Sequence, residues 1–183
     1  NKTEAMLVKV FGSAISGIEA LPVTIEVNTD KGINFLLVGL PDNAVKESQQ
    51  RISSALNIYG YKIPGKKITI NMAPADLRKE GSSYDLPLAI GILASSEQIS
   101  DSKLSDYIIM GELSLDGSIR NIKGALPIAL EAKKQGFKGI ILPKENAKEA
   151  AIVSDIEVYG VENILEVLNF LDGVITLQSE SSD

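Results

Sequence analysis

Residues 72–93, MAPADLRKEGSSYDLPLAIGIL, pass from a strand through a charged loop into an apolar helix. Asp85 is predicted to cap that helix at its N-terminus. The helix is apolar on nearly every side, which is typical of a helix buried on several faces. The pattern therefore predicts a polar loop held against the core, in which Ser83 lies near Arg78 and Lys79 as a candidate functional group.

Composition narrows the chemistry that is available to the chain. The 183 residues are enough for one domain and include no cysteine and no histidine, so disulfides, thiolate metal sites and serine–histidine catalysis are excluded. A net charge of -6 argues against a strongly basic nucleic-acid module acting alone, although local basic patches are compatible with it. No apolar run has the length of a membrane span and no signal-peptide pattern is found, so we expect a cytoplasmic protein without membrane contact.

The first third of the chain is predicted to be rich in strands. Alternating apolar residues predict strands at 7–11, 22–27 and 33–38, and the turn residues between the last two favour a hairpin. A helix is predicted to begin at Asp42 and to end at Gly60, with Arg51 on its solvated face.

The rest of the chain alternates between the two types of element. A strand over 66–72 leads into the charged loop, and Asp116-Gly117 predicts a tight hairpin turn because both residues tolerate positive φ. The remaining predictions are strands at 107–110, 139–142 and 156–159 and helices at 124–135, 145–153 and 162–171. Together these elements predict one α/β (α+β) domain with a mixed sheet and packed helices.

Three regions are distinguished along the chain. Residues 1–5 are interpreted as a leader or cloning remnant, 6–173 as the folded domain, and 174–183 as a polar tail or the start of a linker.

Residues 60–67, GYKIPGKK, match a phosphate-binding loop as far as its lysine. Lys67 stands where a serine or threonine should hold magnesium, and the segment follows a helix and enters a strand, the reverse of the order a phosphate loop needs. We therefore predict a turn here. No clustered metal-ligand pattern is found either, so no metal site and no cofactor are predicted for these residues.

Four motifs occur in an order that is specific to one family: VGLPD at 38–42, NMAPADLRKEG at 71–81, YDLP at 84–87 and GELSLDG at 111–117. Over about residues 6–173 the chain resembles the N-terminal domain of the ComM/YifB family of magnesium-chelatase-like AAA+ ATPases. The resemblance implies a ribosomal protein S5 domain 2-like fold, similar to the proteolytic domain of Lon and the C-terminal domain of RadA. It also implies that the chain is a fragment, that an absent AAA+ module uses ATP and Mg²⁺, and that the full-length protein forms a hexameric ring.

The resemblance to Lon places Ser83 where Lon-type peptidases have their nucleophile. Leu126 then falls at the position of the paired lysine, and Lys123 lies three residues earlier. A serine hydroxyl needs a proton acceptor within hydrogen-bond reach, and leucine offers none. The expectation is therefore that no residue is catalytic and that Ser83 is a loop or helix-cap hydroxyl.

The leading hypothesis is a non-catalytic accessory domain that serves ring assembly, DNA guidance or both, in a motor that the family links to branch migration and natural transformation. A serine–lysine hydrolase using Ser83 and a pure oligomerisation module are the alternatives. In the DNA-guiding role, the phosphates of single-stranded or branched DNA would be bound by cationic side chains that lie just after the ends of strands. The candidate DNA-facing residues are Arg78, Lys79, Arg120 and Lys123. Alternatively, these side chains are solvated surface charges that are partly paired with Glu80 and Asp116.

Overall fold

The computed structural model describes residues 6–79 and 81–181; the predicted leader, Glu80 and the last two residues of the predicted tail lie outside the described residues. The strands are β1 Met6–Ser16, β2 Glu19–Asp30, β3 Asn34–Val38, β4 Lys67–Ala73, β5 Tyr107–Ile109, β6 Glu112–Leu113, β7 Ile119–Arg120, β8 Gly139–Pro143 and β9 Glu157–Val161. The α-helices are α1 Asp42–Ile58, α2 Asp85–Ser95, α3 Ala125–Lys134, α4 Lys144–Ala150 and α5 Ile164–Leu171. Short 3-10 helices span Ser82–Tyr84 and Leu104–Asp106.

Seven of the strands form one mixed sheet in the order β3-β4-β2-β1-β5-β8-β9, and β6 and β7 form a separate two-stranded ladder. β2 is antiparallel to both β1 and β4, whereas the other neighbours in the large sheet are parallel. The predicted α/β class with a mixed sheet is confirmed.

The hairpin predicted between residues 22–27 and 33–38 is wrong. β2 forms its hairpin with β1, and β4 lies between β2 and β3. The reason is the crossover through α1, which brings β4 parallel to β3, so that β4 occupies the place beside β2. β3 leaves Leu36 and Val38 about half exposed and occupies the edge.

Helices pack on both faces of the sheet. All residues of α2 are buried, which confirms the prediction for this helix. A Cβ added to Gly91 of α2 would lie 2.6 Å from Val27, so glycine permits this helix to approach β2 closely. On the opposite face of the neighbouring strand β1, Phe11 packs against Phe137, which follows α3, with ring centroids 5.5 Å apart. The strands that enter the charged loop are thus held from both sides.

The hairpin between β6 and β7 is confirmed, but its predicted two-residue turn is not. The turn extends over residues 115–117: Gly117 N–H donates to Ser114 O (3.0 Å), and Ser114 N–H donates to Ser118 O (2.9 Å). Gly117 has a φ of 89°, whereas Asp116 is not among the residues with positive φ. A three-residue turn needs only one left-handed position, and glycine fills it.

The remaining connections agree in part with the sequence. Residues 60–67 connect the end of α1 to the start of β4, so the helix-to-strand order that argued against a phosphate loop is confirmed. The tail is ordered at one point at least, because Glu180 N–H donates to Val158 O (2.7 Å) on β9. Within the described residues, no helix combines the length and the apolar character that a membrane span requires.

Candidate functional site

A cleft of about 850 Å³ opens where the charged loop meets the C-terminal end of β1. Three parts of the chain form its walls: the end of β1, the loop on either side of residue 80, and the segment that joins β7 to α3. The described residues that line it are Ser13, Ala14, Ile15, Ser16, Asp76, Leu77, Arg78, Gly81, Ser82, Ser83, Tyr84, Met110, Glu112, Asn121, Ile122, Lys123 and Ile128.

The loop is anchored by the start of α2. Asp85 is fully buried, and its carboxylate accepts hydrogen bonds from Arg51 Nε (2.6 Å), Arg51 Nη2 (3.1 Å), Ser48 Oγ (2.8 Å) and Leu113 N–H (3.1 Å). Asp85 thus ties α1, α2 and β6 together. The predicted N-cap role of Asp85 is wrong, because Tyr84 occupies the cap position and the Asp85 carboxylate makes tertiary bonds instead.

The predicted solvated role of Arg51 is also wrong. Its side chain is 22% exposed and forms an ion pair with Asp85. Burial raises the pKa of Asp85, and the hydrogen bonds from Arg51, Ser48 and Leu113 oppose that rise. The hydrogen bond with Asp85 raises the pKa of the Arg51 guanidinium, which stays charged. A buried pair with four hydrogen bonds fixes the position of the loop because each donor constrains the carboxylate.

Main-chain bonds add to this anchoring. Gly111 N–H donates to Ser83 O (2.9 Å), and Leu86 N–H donates to Gly111 O (3.0 Å). These two bonds hold the chain that follows β5 against the start of α2.

Ser82 and Glu112 form the polar pair inside the cleft. Ser82 Oγ donates to Glu112 Oε1 (2.8 Å), and both groups are partly buried. The sequence analysis missed this pair because nothing in local spacing links residues 82 and 112. The signal in the sequence is Gly111-Glu112, which begins the family motif at 111–117.

Ser83 also lines the cleft, as does Lys123. The lysine side chains with hydrogen bonds to protein groups in the described part of the chain are Lys79 and Lys133, and neither bonds to Ser83. Leu126 is half-buried against the core and is not among the described residues that line the cleft. Hence, among the described residues, no amine is in hydrogen-bond contact with the Ser83 hydroxyl.

The four candidate DNA-facing cations lie in different surroundings. Arg78 is exposed and lines the cleft together with Lys123, although the two residues are 45 positions apart in the chain. Lys79 points inward: it is only 4% exposed, and its ammonium donates to Pro74 O (2.5 Å) and Leu77 O (2.9 Å). Burial lowers the pKa of Lys79. A buried lysine bound to carbonyls stabilises the loop and cannot meet an external phosphate without leaving these bonds.

Arg120 is exposed beside the cleft but is not among the residues lining it. Its Nε donates to Ser114 Oγ (2.6 Å), and it lies opposite Glu112 in the β6/β7 ladder. Asp116, proposed as a partner for these charges, accepts hydrogen bonds from Ser118 N–H (3.0 Å) and Ser118 Oγ (2.7 Å). Glu80 lies outside the described residues.

Residues that could hold a metal ion are not clustered: the described residues contain no group of three or more aspartate, glutamate, histidine or cysteine side chains suited to one. Chemically, the cleft offers hydroxyls, two carboxylates and two exposed cations on its walls.

Comparison with known proteins assigns the family. Residues 25–146 match the family described as subunit ChlI of Mg-chelatase. The chain is 46% identical over 165 residues to competence protein ComM of Haemophilus influenzae, covering 90% of this chain and 32% of that protein. It is 45% identical over 170 residues to YifB of Escherichia coli, covering 92% of this chain and 33% of that protein.

A weaker similarity links the chain to Lon. The archaeal Lon protease of Thermococcus kodakarensis is 27% identical over 188 residues, covering 92% of this chain and 29% of the protease, which supports a Lon-type domain. The chain spans about one third of the length of the curated relatives it matches. The chain belongs to the family of Mg-chelatase subunit ChlI, in which it is a ComM/YifB-like member.

Proposed function

We propose that this chain is a non-catalytic accessory domain of a cytoplasmic, ATP-driven motor, in which it helps to assemble a ring and to guide single-stranded or branched DNA. The family supports the motor, and the name of ComM, a competence protein, supports a link to DNA. The chain matches about one third of ComM, so ATP and Mg²⁺ would be used by a separate ATPase module.

The placement of Arg78 and Lys123 carries the DNA part of the proposal. The two exposed cations come from distant parts of the sequence and line one cleft. Guanidinium and ammonium groups bind phosphates without reading bases, which suits a protein that guides DNA of any sequence. Lys79 is not part of the proposed DNA-binding site because it is buried. Arg120 is expected to contribute less to DNA binding because its Nε already donates to Ser114 Oγ.

Ring assembly supplies the affinity that one copy lacks. The chain carries a net charge of -6, so two cations in one cleft would bind DNA weakly. Six copies in a ring would present the same pair repeatedly to one strand, which raises the effective affinity without any new type of contact. The isolated domain should therefore bind DNA poorly even where the assembled protein binds well.

The non-catalytic part of the proposal depends on the surroundings of Ser83. A serine nucleophile needs a base within about 3 Å, and Leu126 supplies none. Reaction of Ser83 with a serine-directed probe would favour the alternative function, a serine–lysine hydrolase. The pure oligomerisation module would be favoured by a ring, seen in sedimentation, whose formation has no effect on DNA.

The test is DNA binding by an assembled form of the protein, measured by fluorescence anisotropy with a labelled 40-nucleotide single strand and a four-way junction. Arg78→Ala combined with Lys123→Ala should weaken binding, and the dependence of log K on log[salt] should become shallower by roughly 1 to 2. Lys62→Ala combined with Lys66→Ala removes the same charge from exposed positions that do not line the cleft. If both double variants weaken binding equally, the cleft is not the DNA site.

A further inference from the structure

The segment that joins β7 to α3, residues 121–124, contributes to one wall of the cleft without a strand or helix of its own. Asn121 and Lys123 are exposed on this wall, whereas Ile122 between them is only 8% exposed and belongs to the core. The main-chain groups of a buried residue need hydrogen-bond partners, and outside a regular element these come from side chains or loops. The position of the two exposed side chains therefore depends on what holds Ile122.

Asn146 of α4 holds Ile122 with both ends of its side-chain amide. Its Oδ1 accepts from Ile122 N–H (2.8 Å), and its Nδ2 donates to Ile122 O (2.9 Å), across 24 positions of the chain. Asn146 is itself only 8% exposed, so these bonds are shielded from water. One side chain thus gives Ile122 the donor and the acceptor that a neighbouring strand would otherwise supply, and it fixes the main chain at this point.

Gly124 holds the other end of the segment. It has a φ of 83°, and its carbonyl accepts from Ile128 N–H (3.0 Å) in the first turn of α3. A Cβ on Gly124 would lie 2.5 Å from Cδ1 of Ile15, so glycine lets the segment pack directly on the end of β1. The segment is therefore held at two positions, one on either side of Lys123.

We propose that Asn146 is a positioning residue for DNA binding: it holds residues 121–123 as a phosphate-binding segment, in which Lys123 supplies a charge and Asn121 a neutral amide donor. The inference rests on the proposed function, which makes the DNA backbone the ligand of the cleft. Asparagine amides and lysine ammonium groups both donate to phosphate oxygens. Asn146 is buried and acts only through Ile122, whereas Asn121 contacts the phosphate itself.

The charge of Lys123 distinguishes its contact from that of Asn121. A lysine that binds phosphate releases condensed counterions, so its loss flattens the dependence of log K on log[salt]; loss of a neutral amide lowers K at every salt concentration. A segment that is already held in place loses little freedom on binding, so both contacts should weaken when the segment is released. Asn146 therefore controls a charged and a neutral contact together, although it bears no charge.

Amide hydrogen exchange, measured by NMR on the full 183-residue chain without DNA, tests whether Asn146 fixes the segment. Asn146→Ala should speed exchange of the Ile122 amide at least roughly tenfold, because the Asn146 oxygen is the acceptor of that N–H. Ser95→Ala is the matched control: it removes a buried hydroxyl that is bonded to Thr29 (2.6 Å), and neither residue lines the cleft. In that variant the Ile122 amide should exchange as it does in the unsubstituted chain.

DNA binding by the assembled form, measured with the labelled single strand, tests the phosphate contacts. Lys123→Ala should weaken binding and make the salt dependence shallower by roughly 0.7 or more. Asn121→Ala should weaken binding about threefold or more without changing the salt dependence. Asn146→Ala should reproduce both effects, and Lys123→Ala added to it should weaken binding further by less than about twofold. Arg78→Ala should keep its full effect in the Asn146→Ala background, because Arg78 lies on the charged loop.

Three results would overturn the inference and leave the proposed function intact. The first is an equal loss of binding from Lys123→Ala with and without Asn146→Ala. The second is an Ile122 amide that exchanges no faster in Asn146→Ala than in Ser95→Ala. The third is unchanged binding by Asn121→Ala.

The exposed variant Asn121→Ala decides the inference by itself if Asn146→Ala does not fold. A different result bears on the proposed function: if Arg78→Ala combined with Lys123→Ala leaves DNA binding unchanged, the cleft is not the DNA site, and the inference is overturned with it.

Discussion

The carboxylate of Asp85 lies 2.6 Å from Nε of Arg51, and this ion pair joins the middle of α1 to the first residue of α2. Asp85 is fully buried and also accepts hydrogen bonds from Ser48 and from the main chain of Leu113. The pair therefore holds together the three elements that determine where the charged loop lies. Its removal should affect the cleft as well as the stability of the domain.

Arg51→Met should lower the free energy of unfolding by about 3 kcal/mol, because it leaves a buried carboxylate without its cation. Lys46→Met, at an exposed position of the same helix, should change it by less than about 0.5 kcal/mol. Urea denaturation measures both. Combining Arg51→Met with Asp85→Leu should recover part of the loss, and a double variant as unstable as the sum of its single changes would contradict the pairing.

The serines of the cleft should not react with a fluorophosphonate probe. Ser82 donates to a carboxylate, and Ser83 has no amine bonded to its hydroxyl among the described residues. Gel fluorescence and intact mass should show no adduct on the folded chain. Labelling that is abolished by Ser83→Ala would support the serine–lysine hydrolase hypothesis. Labelling that is abolished by Ser82→Ala would assign the reactivity to Ser82 and its partner Glu112.

Gly117→Ala should destabilise the domain by at least about 1 to 2 kcal/mol. Gly117 has a φ of 89°, and a Cβ there would lie 2.7 Å from the ring of Tyr59. Gly65→Ala is the matched control, because an added Cβ at Gly65 has no atom within 4 Å and φ is not in the left-handed range. Thermal melting should show a clear drop for the first variant and little change or a small gain for the second.

Asp116 should contribute to stability in a pH-dependent way. Hydrogen bonds from the main chain and side chain of Ser118 lower the pKa of Asp116 below its ordinary value of 3.8. A carboxylate with a lowered folded-state pKa stabilises the fold above its unfolded pKa, and that contribution is lost as pH falls through the folded-state pKa. The difference in melting temperature between the protein and Asp116→Asn should therefore shrink between pH 6 and pH 3. A difference that grows on acidification would contradict this assignment.

Local patterns were sufficient to predict most elements of this fold. The buried character of α2 followed from its unbroken apolar sequence, and the strands followed from alternation. The position of β4 between β2 and β3 did not follow, because adjacency in the chain favoured a hairpin between β2 and β3, whereas β4 pairs with both of them. Strand order is a property of the whole sheet, and no short window of sequence contains it.

The candidate site was likewise predicted from the sequence only in part. Arg78, Ser83 and Lys123 were identified from the sequence, and all three line one cleft. Lys79 and Arg51 were misread because exposure cannot be deduced from residue type: one donates to two carbonyls, and the other bonds to a carboxylate 34 positions away.

By itself, the sequence of this protein determined its class, its family and the identity of the charged loop, because periodicity and motifs are local properties of a chain. Within the described residues, the tertiary structure alone decided which cations are buried and which serine meets a carboxylate. Those outcomes depend on contacts between residues far apart in the sequence, where burial and hydrogen-bond geometry, and not residue type, determine what each side chain can do.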